Sequence, residues 1–313
     1  MSDRDGPADG EDPAVSVVVP AYNRAHSVGT AMESVLEQTF TDLELLVVDD
    51  GSTDETRAVV TGCEDPRVRY VAHETNRGRS AARNTGIEAA RGRYVAFLDS
   101  DDRWRPRKLQ RQVTDLRSRG PAWVASYTDY ETARGSRLTA VEDLVGWLRP
   151  DPRTREGGVD LARELLQMKV LMAPGSTLLA ERSALARTGG FDTELDIHED
   201  WDLVLALIEG GGKVAYVDEP LAVVSESVPP SAEAFAAAKR RLLDRHAGLV
   251  DRFRAEGVDV RRVHHVAVAG MYFRAGRFRA GLSYLDPDSL RPLDLLRVAL
   301  WSALGLRDRL LGG

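Results

Sequence analysis

The chain has 313 residues, with 49 Asp and Glu against 42 Lys and Arg, a net charge of -7 and an isoelectric point near 5.5. This length supplies a large buried core, and the acidic balance argues against a nucleic-acid surface, so we expect no nucleic-acid partner. The single cysteine, Cys63, excludes an intrachain disulfide and a cysteine-based zinc site and fits a reducing cytoplasm.

Residues 1–14 are polar and rich in Gly, Pro, Asp and Glu, and we expect them to form a disordered leader. Alternating strands and helices follow. The predicted strands are Val15–Val19, Leu43–Val48, Val68–Ala72 and Tyr94–Leu98. The predicted helices are one capped by Ser27, one opened by a capping box of Ser52 and Glu55, one over Arg79–Arg91 and one after Pro106. This alternation predicts an α/β fold with a mostly parallel, doubly wound sheet.

The pattern is looser beyond residue 120. We expect a strand at Trp123–Tyr127, an amphipathic segment at Val159–Met168, a strand at Ser176–Ala180, short helices around 183–187 and over Leu203–Ile208, and strands at Val214–Val217 and Leu221–Val224. The Pro229-Pro230 pair marks a boundary, after which the sequence is mostly helical.

Acidic side chains follow two of the predicted strands. Asp50 lies at the end of the second, and Asp99, Asp101 and Asp102 lie at the end of the fourth. Ligands collect at the carboxyl ends of parallel strands, and clustered carboxylates repel one another unless a cation lies among them. Mg²⁺ and Mn²⁺ prefer such oxygen ligands, so a divalent metal is the simplest candidate. The alternative is an acidic turn that caps the helix after Pro106.

Several motifs occur in a fixed order. They are Pro20-Ala21-Tyr22-Asn23-Arg24, Val48-Asp49-Asp50-Gly51-Ser52, Asn76-Arg77-Gly78-Arg79 with Ala82-Arg83-Asn84, Asp99-Ser100-Asp101-Asp102, and Gly189-Gly190-Phe191 followed by Glu199-Asp200. As a set they resemble family 2 glycosyltransferases of the GT-A fold, over about Val15 to Val224. The resemblance implies a GT-A domain over 15–228, with a nucleotide-binding half at 15–120 and an acceptor half at 121–228. A helical C-terminal region then covers 229–313.

The resemblance also implies a donor-nucleotide site formed by Pro20, Tyr22, Asp50, Asp99 and Ser100. Tyr22 would flank the base, Asp50 would accept the imide hydrogen of a base such as uracil, and Asp99 would address the ribose. The alternative for Tyr22 is an aromatic residue of a turn, and the alternative for Asp50 is a helix cap.

Two basic side chains and one acid are implied at the donor diphosphate. Arg79 and Arg83 lie at i and i+4 on one helix face and could meet the phosphates, although arginines on a helix are usually solvated. Asp101 would ligate Mg²⁺ or Mn²⁺ bridging the diphosphate, which assists departure of the nucleoside diphosphate.

Asp200 matches the family's general base, which takes the proton of the acceptor hydroxyl as it attacks with inversion of configuration. Glu199 and Asp202 compete for this role, and Asp200 could be only a helix N-cap. Many relatives carry basic or histidine residues after the last strand. This chain reads Ser225-Glu226-Ser227-Val228-Pro229-Pro230 there, which leaves open whether that loop contributes to diphosphate binding.

The function implied is metal-dependent transfer of a sugar from a nucleotide-sugar donor, UDP-linked in our interpretation, to a glycan or lipid-linked acceptor in cell-surface glycan or glycolipid assembly. One alternative is a catalytically inactive sugar-nucleotide-binding protein. Another is a sugar nucleotidyltransferase, which usually needs a Gly-rich phosphate loop where this chain has Pro20-Ala21-Tyr22-Asn23-Arg24.

The C-terminal segment 291–311 is the remaining feature. Leucines recur at helical spacing and arginines lie near its ends, so it could lie in a membrane interface at the inner face of the cell membrane. It could equally dock on the core or on another subunit. No stretch is long enough to span a bilayer.

Overall fold

The computed structural model describes residues 12–133, 152–170, 172–225 and 228–311, with only the backbone of 304–311. These residues form two compact units. The α/β unit contains 12–133, 156–159 and 172–225, and the helical unit contains 152–155, 160–170 and 228–311. Almost all of the predicted leader, residues 1–11, lies outside the described residues.

The α/β unit is built on one eight-stranded sheet with the order β3-β2-β1-β4-β7-β6-β8-β5. The strands are β1 (Val15–Ala21), β2 (Leu43–Asp49), β3 (Val68–Ala72), β4 (Tyr94–Phe97), β5 (Arg103–Trp104), β6 (Trp123–Thr132), β7 (Leu179–Glu181) and β8 (Lys213–Val224). The half formed by β3, β2, β1 and β4 is parallel, as predicted. In the other half β7 runs antiparallel to both β4 and β6, and β5 runs antiparallel to β8, so the whole sheet is mixed.

Helices cover this sheet. They are α1 (Val28–Leu36), α2 (Thr56–Thr61), α3 (Arg79–Ala89), α4 (Lys108–Ser118), α6 (Pro174–Thr177), α7 (Arg182–Thr188) and α8 (Glu199–Glu209), while α5 (Val159–Leu166) lies mostly in the helical unit. Every residue of β1 and β2 is buried, because parallel strands with helices on both faces need apolar side chains on both. Val and Leu side chains of these two strands lie in the hydrophobic core.

Two local predictions are wrong. No capping box opens α2, because the Ser52 hydroxyl accepts a hydrogen bond from the Asn23 amide and the helix begins only at Thr56. The predicted strand over Ser176–Ala180 starts as the short helix α6, and the strand is confined to β7. Proline suits the first helical position, so Pro174 was the signal for this helix.

The helical unit contains α9 (Ala232–Arg245), α10 (Ala247–Ala255), α11 (Val260–Arg274), α12 (Phe278–Leu282) and α13 (Pro292–Leu311). The helix α13 docks on α11. A Cβ atom on Gly270 would lie 2.7 Å from the Trp301 ring, and buried Asp294 pairs with Arg262. Core docking of the C-terminal segment is therefore observed, although Leu295 and Leu296 remain 55% and 46% exposed.

No helix within the described ranges is both long and apolar enough to cross a membrane. Residues 160–170 pack with the helical unit, whereas the sequence analysis placed them in the acceptor half of the GT-A domain. The domain boundaries at 15–228 and 229–313 stay a prediction.

Candidate active site

The loops after β1 and β2 are tied to each other. The Asn23 amide donates to Ser52 Oγ at 2.9 Å, and Asn23 Oδ1 accepts from the Thr53 amide at 2.8 Å. Asn23 adopts a left-handed φ of 52°, a conformation that asparagine tolerates better than most residues. Pro20 is buried at the end of β1, while the Tyr22 ring is 43% exposed. Tyr22 is therefore an exposed aromatic residue on a loop that is hydrogen-bonded to its neighbour.

Asp50, just after β2, is 3% exposed and orders the loop that precedes α3. Its Oδ1 atom lies 2.6 Å from His73 Nδ1 and accepts from the Arg77 amide at 2.9 Å. Its Oδ2 atom accepts from the Gly78 amide at 2.8 Å. A carboxylate has about four lone-pair sites, so one site on Asp50 remains for a ligand. Its contact with a nucleotide base stays a prediction.

Arg79 and Arg83 lie one turn apart on α3 in opposite environments. Arg79 is exposed, whereas Arg83 is 1% exposed. One Arg83 Nη donates to Asp99 Oδ1 at 2.6 Å, and the other donates to Glu199 Oε1 at 2.8 Å. Burial alone lowers the pKa of Arg83, but the charges of Asp99 and Glu199 outweigh it, so the pKa is raised and the cation persists. Sequence analysis placed Arg83 at the donor phosphates, and the structure instead encloses it between two carboxylates.

The Gly189-Gly190-Phe191 motif supports this arginine. The Arg83 guanidinium lies 5.1 Å from the centroid of the Phe191 ring, which also meets Phe97 edge to face at 5.0 Å. Asn84 fixes Phe191 through both of its backbone groups, accepting from the amide at 2.8 Å and donating to the carbonyl at 2.9 Å. Gly190 has a φ of 78°, and a side chain there would collide with Asn84.

The acidic turn after β4 is held by two serines. Ser176 Oγ on α6 accepts from the Asp99 amide and donates to Asp102 Oδ2. The Ser225 amide donates to Asp102 Oδ1 at 2.7 Å, and its hydroxyl donates to the Asp101 carbonyl. Burial, reinforced by the charge of Asp99, raises the pKa of Asp102 to about 7. Asp102 is therefore a structural acid, and the loop after β8 reaches the turn through Ser225.

The other groups of this turn differ in exposure. The side chain of Asp101 is 45% exposed and lies 3.9 Å from an Arg24 Nη, and that of Asp99 is 32% exposed. Ser100 is buried. Within the described ranges, no three His, Cys, Asp or Glu side chains are grouped so as to hold a metal ion. Asp101 is thus the most exposed carboxylate of the turn.

The start of α8 presents three acids, of which Asp200 is the most accessible. Glu199 is 5% exposed and bonds Arg83, and Asp202 is 0% exposed. Asp200 is partly exposed. The N-cap of α8 is His198, so Asp200 is not the cap. The packing around the Asp200 carboxylate and the charge of Glu199 raise its pKa to about 7.

The structure thus brings Arg83, Asp99, Glu199 and Asp200 together. All four residues were named from the sequence, but neither Asp99 nor Glu199 was predicted to pair with Arg83. No orienting role was predicted for His73, Asn84, Ser176 or Ser225, which hold the predicted residues in place. The Pro174-Gly175-Ser176 sequence offered one signal. A Cβ on Gly175 would lie 3.0 Å from Asp99 Oδ2, so a small residue is needed beside the carboxylate.

Comparisons with known proteins find glycosyltransferase relatives. Residues 16–161 match the family described as "Glycosyl transferase family 2". The chain is 34% identical over 209 residues to "Succinoglycan biosynthesis protein ExoO" of Rhizobium meliloti, covering 67% of this chain and 60% of that protein. It is 40% identical over 128 residues to "UDP-Glc:alpha-D-GlcNAc-diphosphoundecaprenol beta-1,3-glucosyltransferase WfgD" of Escherichia coli, covering 41% and 50%. The match therefore spans only about half to three fifths of either relative's length.

A solved structure shares the fold. The crystal structure of S. aureus TarS 1-349 superposes with a TM-score of 0.60 at 17% identity, covering 96% of this chain and 92% of that 1–349 chain. The same protein in complex with UDP-GlcNAc gives a TM-score of 0.58 at 16% identity, covering 95% and 92%. The predicted GT-A fold with a helical C-terminal region is confirmed.

Proposed function

Because the chain belongs to glycosyltransferase family 2, we propose that it transfers a sugar from a UDP-sugar to an acceptor hydroxyl with inversion of configuration. The observation that supports this most directly is the bridge made by Arg83. It joins Asp99, at the end of β4, to Glu199, the neighbour of Asp200. A donor-side acid and a partly exposed acid with a raised pKa are thereby held in one site.

The donor side consists of Tyr22, Asp50, Asp99 and Ser100, with Pro20 shaping the loop. Tyr22 offers a ring face to a base, and the remaining lone-pair site of Asp50 can accept one N–H. UDP is favoured because uracil presents a single imide donor. The name of the E. coli relative specifies UDP-Glc, and the TarS structure contains UDP-GlcNAc. Arg79, exposed at the start of α3, could contact the diphosphate.

The residues present fit a divalent cation whose coordination is completed by the substrate phosphates. Asp101 offers one exposed carboxylate, and Mg²⁺ is typically held by one or two carboxylates together with substrate phosphates. Mg²⁺ or Mn²⁺ bound there would neutralise charge on the departing diphosphate. Asp102 is not a ligand in this proposal, because both of its oxygens accept hydrogen bonds from serines.

Asp200 acts as the general base in this proposal. A base works best when its pKa lies near the operating pH, and the pKa of Asp200 is raised to about 7. Glu199 is excluded by its bond to Arg83, and Asp202 by its complete burial. Asp200 takes the acceptor proton as the hydroxyl oxygen bonds the anomeric carbon and the bond to the nucleoside diphosphate breaks. Attack from the face opposite the leaving group inverts the configuration.

The acceptor class is a lipid-linked or polysaccharide intermediate, since the relatives are named for succinoglycan biosynthesis and for a diphosphoundecaprenol substrate. Peripheral contact with the cytoplasmic membrane face through 291–311 fits such an acceptor. The exposed Leu295 and Leu296 would supply the apolar contact. Changing both leucines to serine should reduce flotation with liposomes and leave UDP binding intact.

The test pairs binding with turnover. Thermal shift with Mn²⁺ identifies which UDP-sugar stabilises the protein. The donor that binds is then incubated with a diphosphoundecaprenol-linked acceptor, and NMR of the product gives its anomeric configuration. Donor binding without transfer to any acceptor would favour the inactive binding protein. Formation of a UDP-sugar from UTP and a sugar phosphate would favour the nucleotidyltransferase.

A further inference from the structure

A cavity of about 60 Å³ lies in the helical unit between α9 and α11, and apart from the Tyr284 hydroxyl its polar side chains are basic. Lys239 and Arg240 come from α9, and Arg261, His264 and His265 come from α11. No Asp or Glu is among its lining residues in the part of the chain that the structure describes. The chain as a whole has a net charge of -7, so the charge of this cluster is opposite in sign to the net charge of the protein.

The basic groups are arranged by depth. Lys239 and His264 are 1% and 0% exposed, whereas Arg240, Arg261 and His265 are exposed. A water molecule needs about 10–15 Å³ of such space, so the cavity has room for roughly four waters or one tetrahedral oxyanion. The site therefore has a charged, solvent-facing rim and a desolvated floor.

His264 has one ring nitrogen directed to the protein and one without a partner. Its Nε2 atom lies 2.8 Å from the Leu166 carbonyl, which can only accept, so Nε2 carries the hydrogen. Its Nδ1 atom is buried and has no hydrogen-bond partner among the described residues. A buried, unsatisfied nitrogen is costly and indicates a site that a ligand can complete.

We propose that this cavity binds a phosphate group, as a monoester or diester, between Arg240 and Arg261 at the rim and Lys239 and His264 at the floor. Arginine forks suit the paired oxygens of phosphate, and the buried ammonium of Lys239 adds charge-assisted hydrogen bonds. Phosphate is favoured over a carboxylate because donors approach from two helices and from two depths, which matches a tetrahedral oxyanion.

Binding is coupled to protonation of His264. Burial and the charge of Lys239 lower its pKa well below the ordinary value, and His265 contributes in the same direction. A phosphate anion opposes the effects of the two positive charges, so its binding favours uptake of a proton by His264, after which Nδ1 is a donor. The other charged groups at the rim are Arg240, Arg261 and the acids Asp244, 3.9 Å from Arg261, and Asp259, whose charge acts on His265.

Calorimetric titration of the full chain with inorganic phosphate tests the proposal. Compared with His264→Gln, the parent should gain phosphate affinity as the pH falls from about 8 to about 6, and should take up more protons, visible as a dependence of the heat on buffer ionisation. The titration of phosphate itself is common to both proteins and cancels in this comparison. The double variant Arg240→Gln/Arg261→Gln should bind at least about fivefold more weakly. His264→Gln should keep only the pH dependence that comes from the titration of phosphate. Equal pH dependence in the parent and His264→Gln would contradict the role given to His264.

A matched control removes the same charge elsewhere. Arg254 and Arg279 are exposed and do not line this cavity, so Arg254→Gln/Arg279→Gln should bind phosphate as the parent does. Absence of saturable binding by the parent would overturn the proposal. Equal weakening by the two double variants would also overturn it, since it would show only general charge attraction.

Flotation with vesicles distinguishes a phosphate on a lipid headgroup from a soluble phosphate. If a lipid headgroup occupies the cavity, the parent should float with phosphatidylglycerol vesicles and not with phosphatidylcholine vesicles, and Arg240→Gln/Arg261→Gln should float less. If a soluble phosphate is the ligand, both proteins should float equally while the calorimetric difference persists. Neither result depends on sugar transfer, so the failure of one proposal is distinguishable from the failure of the other.

Discussion

The ends of β2 and β4 carry similar acidic sequences, and the protein uses them differently. At the end of β2, Asp49 and Asp50 are both 3% exposed and accept hydrogen bonds from neighbouring loops. At the end of β4, Asp102 is enclosed, but the side chains of Asp99 and Asp101 are 32% and 45% exposed. The acids at the end of β2 order the loops and leave one acceptor site on Asp50, whereas Asp99 and Asp101 at the end of β4 expose much more of their carboxylates to a ligand.

The largest effect is expected at Arg83, which joins Asp99, at the end of β4, to Glu199 on α8. Arg83→Met would leave Asp99 and Glu199 without their cation, and we expect the free energy of unfolding to fall by about 3–5 kcal/mol. Urea denaturation followed by circular dichroism measures it. Arg79→Met, one turn earlier on the same helix, should stay within about 0.5 kcal/mol of the parent. Equal losses in the two variants would show that the Arg83 bridge is not a special contact.

Asp200→Asn tests whether the exposed acid at α8 does chemistry. Sugar transfer should fall by roughly 10² or more, the usual scale for loss of a positioned base, while UDP affinity stays near that of the parent. The control is Asp202→Asn at the buried neighbour. If transfer survives in Asp200→Asn and is lost in Glu199→Gln or Asp202→Asn, the base has been assigned to the wrong carboxylate.

Asp101 and Asp102 lie in the same turn, but substitutions at the two positions should affect UDP binding differently. Asp101→Asn should weaken UDP binding in the presence of Mn²⁺ by about tenfold, because charge-assisted contacts are worth roughly 1.5–3 kcal/mol. Asp102→Asn should change this affinity far less, since its side chain bonds Ser176 and Ser225. Calorimetric titration of UDP with and without Mn²⁺ gives both values. Identical Mn²⁺ dependence in the parent and Asp101→Asn would rule out the metal assignment.

A further expected effect is on the pH profile. The pKa of Asp200 is raised to about 7, so its base form, and with it the transfer rate, should decline as the pH falls through 7. The sign for stability is opposite. The folded protein holds this proton more tightly than the unfolded chain does, so the residue's contribution to stability is lost as the pH rises from about 4 to about 7. Asp200→Asn should therefore raise the melting temperature at about pH 8, measured by calorimetry, and leave it little changed at about pH 4.

Much of the α/β unit was predictable because its signals are local. Short apolar, β-prone runs between turn residues predict β1 to β4, and the motifs predict Tyr22, Asp50, Asp101 and Asp200 as candidate site residues. Which acids stay exposed depends on partners such as Ser225, which lies 123 residues from Asp102. The burial of Arg83 likewise requires Glu199, and helical spacing alone makes Arg79 and Arg83 look equivalent.

The less regular half of the sheet was harder to predict. β7 is three residues long and pairs antiparallel with both neighbours, so neither its length nor a βαβ pattern reveals it. The α6 helix before it is four residues long. Such short elements are stabilised by tertiary contacts, here the bonds of Ser176 to Asp99 and Asp102, rather than by their own sequence.

The Arg83 bridge also constrains when the site can form during synthesis. Arg83 and Asp99 leave the ribosome early, but Glu199 is 116 residues behind Arg83. At about 5–20 residues per second, the nascent chain waits roughly 6–23 s with that guanidinium lacking its second carboxylate. The nucleotide-binding strands can therefore pair before the site is complete, and ligand binding by a nascent chain should begin only once α8 has emerged.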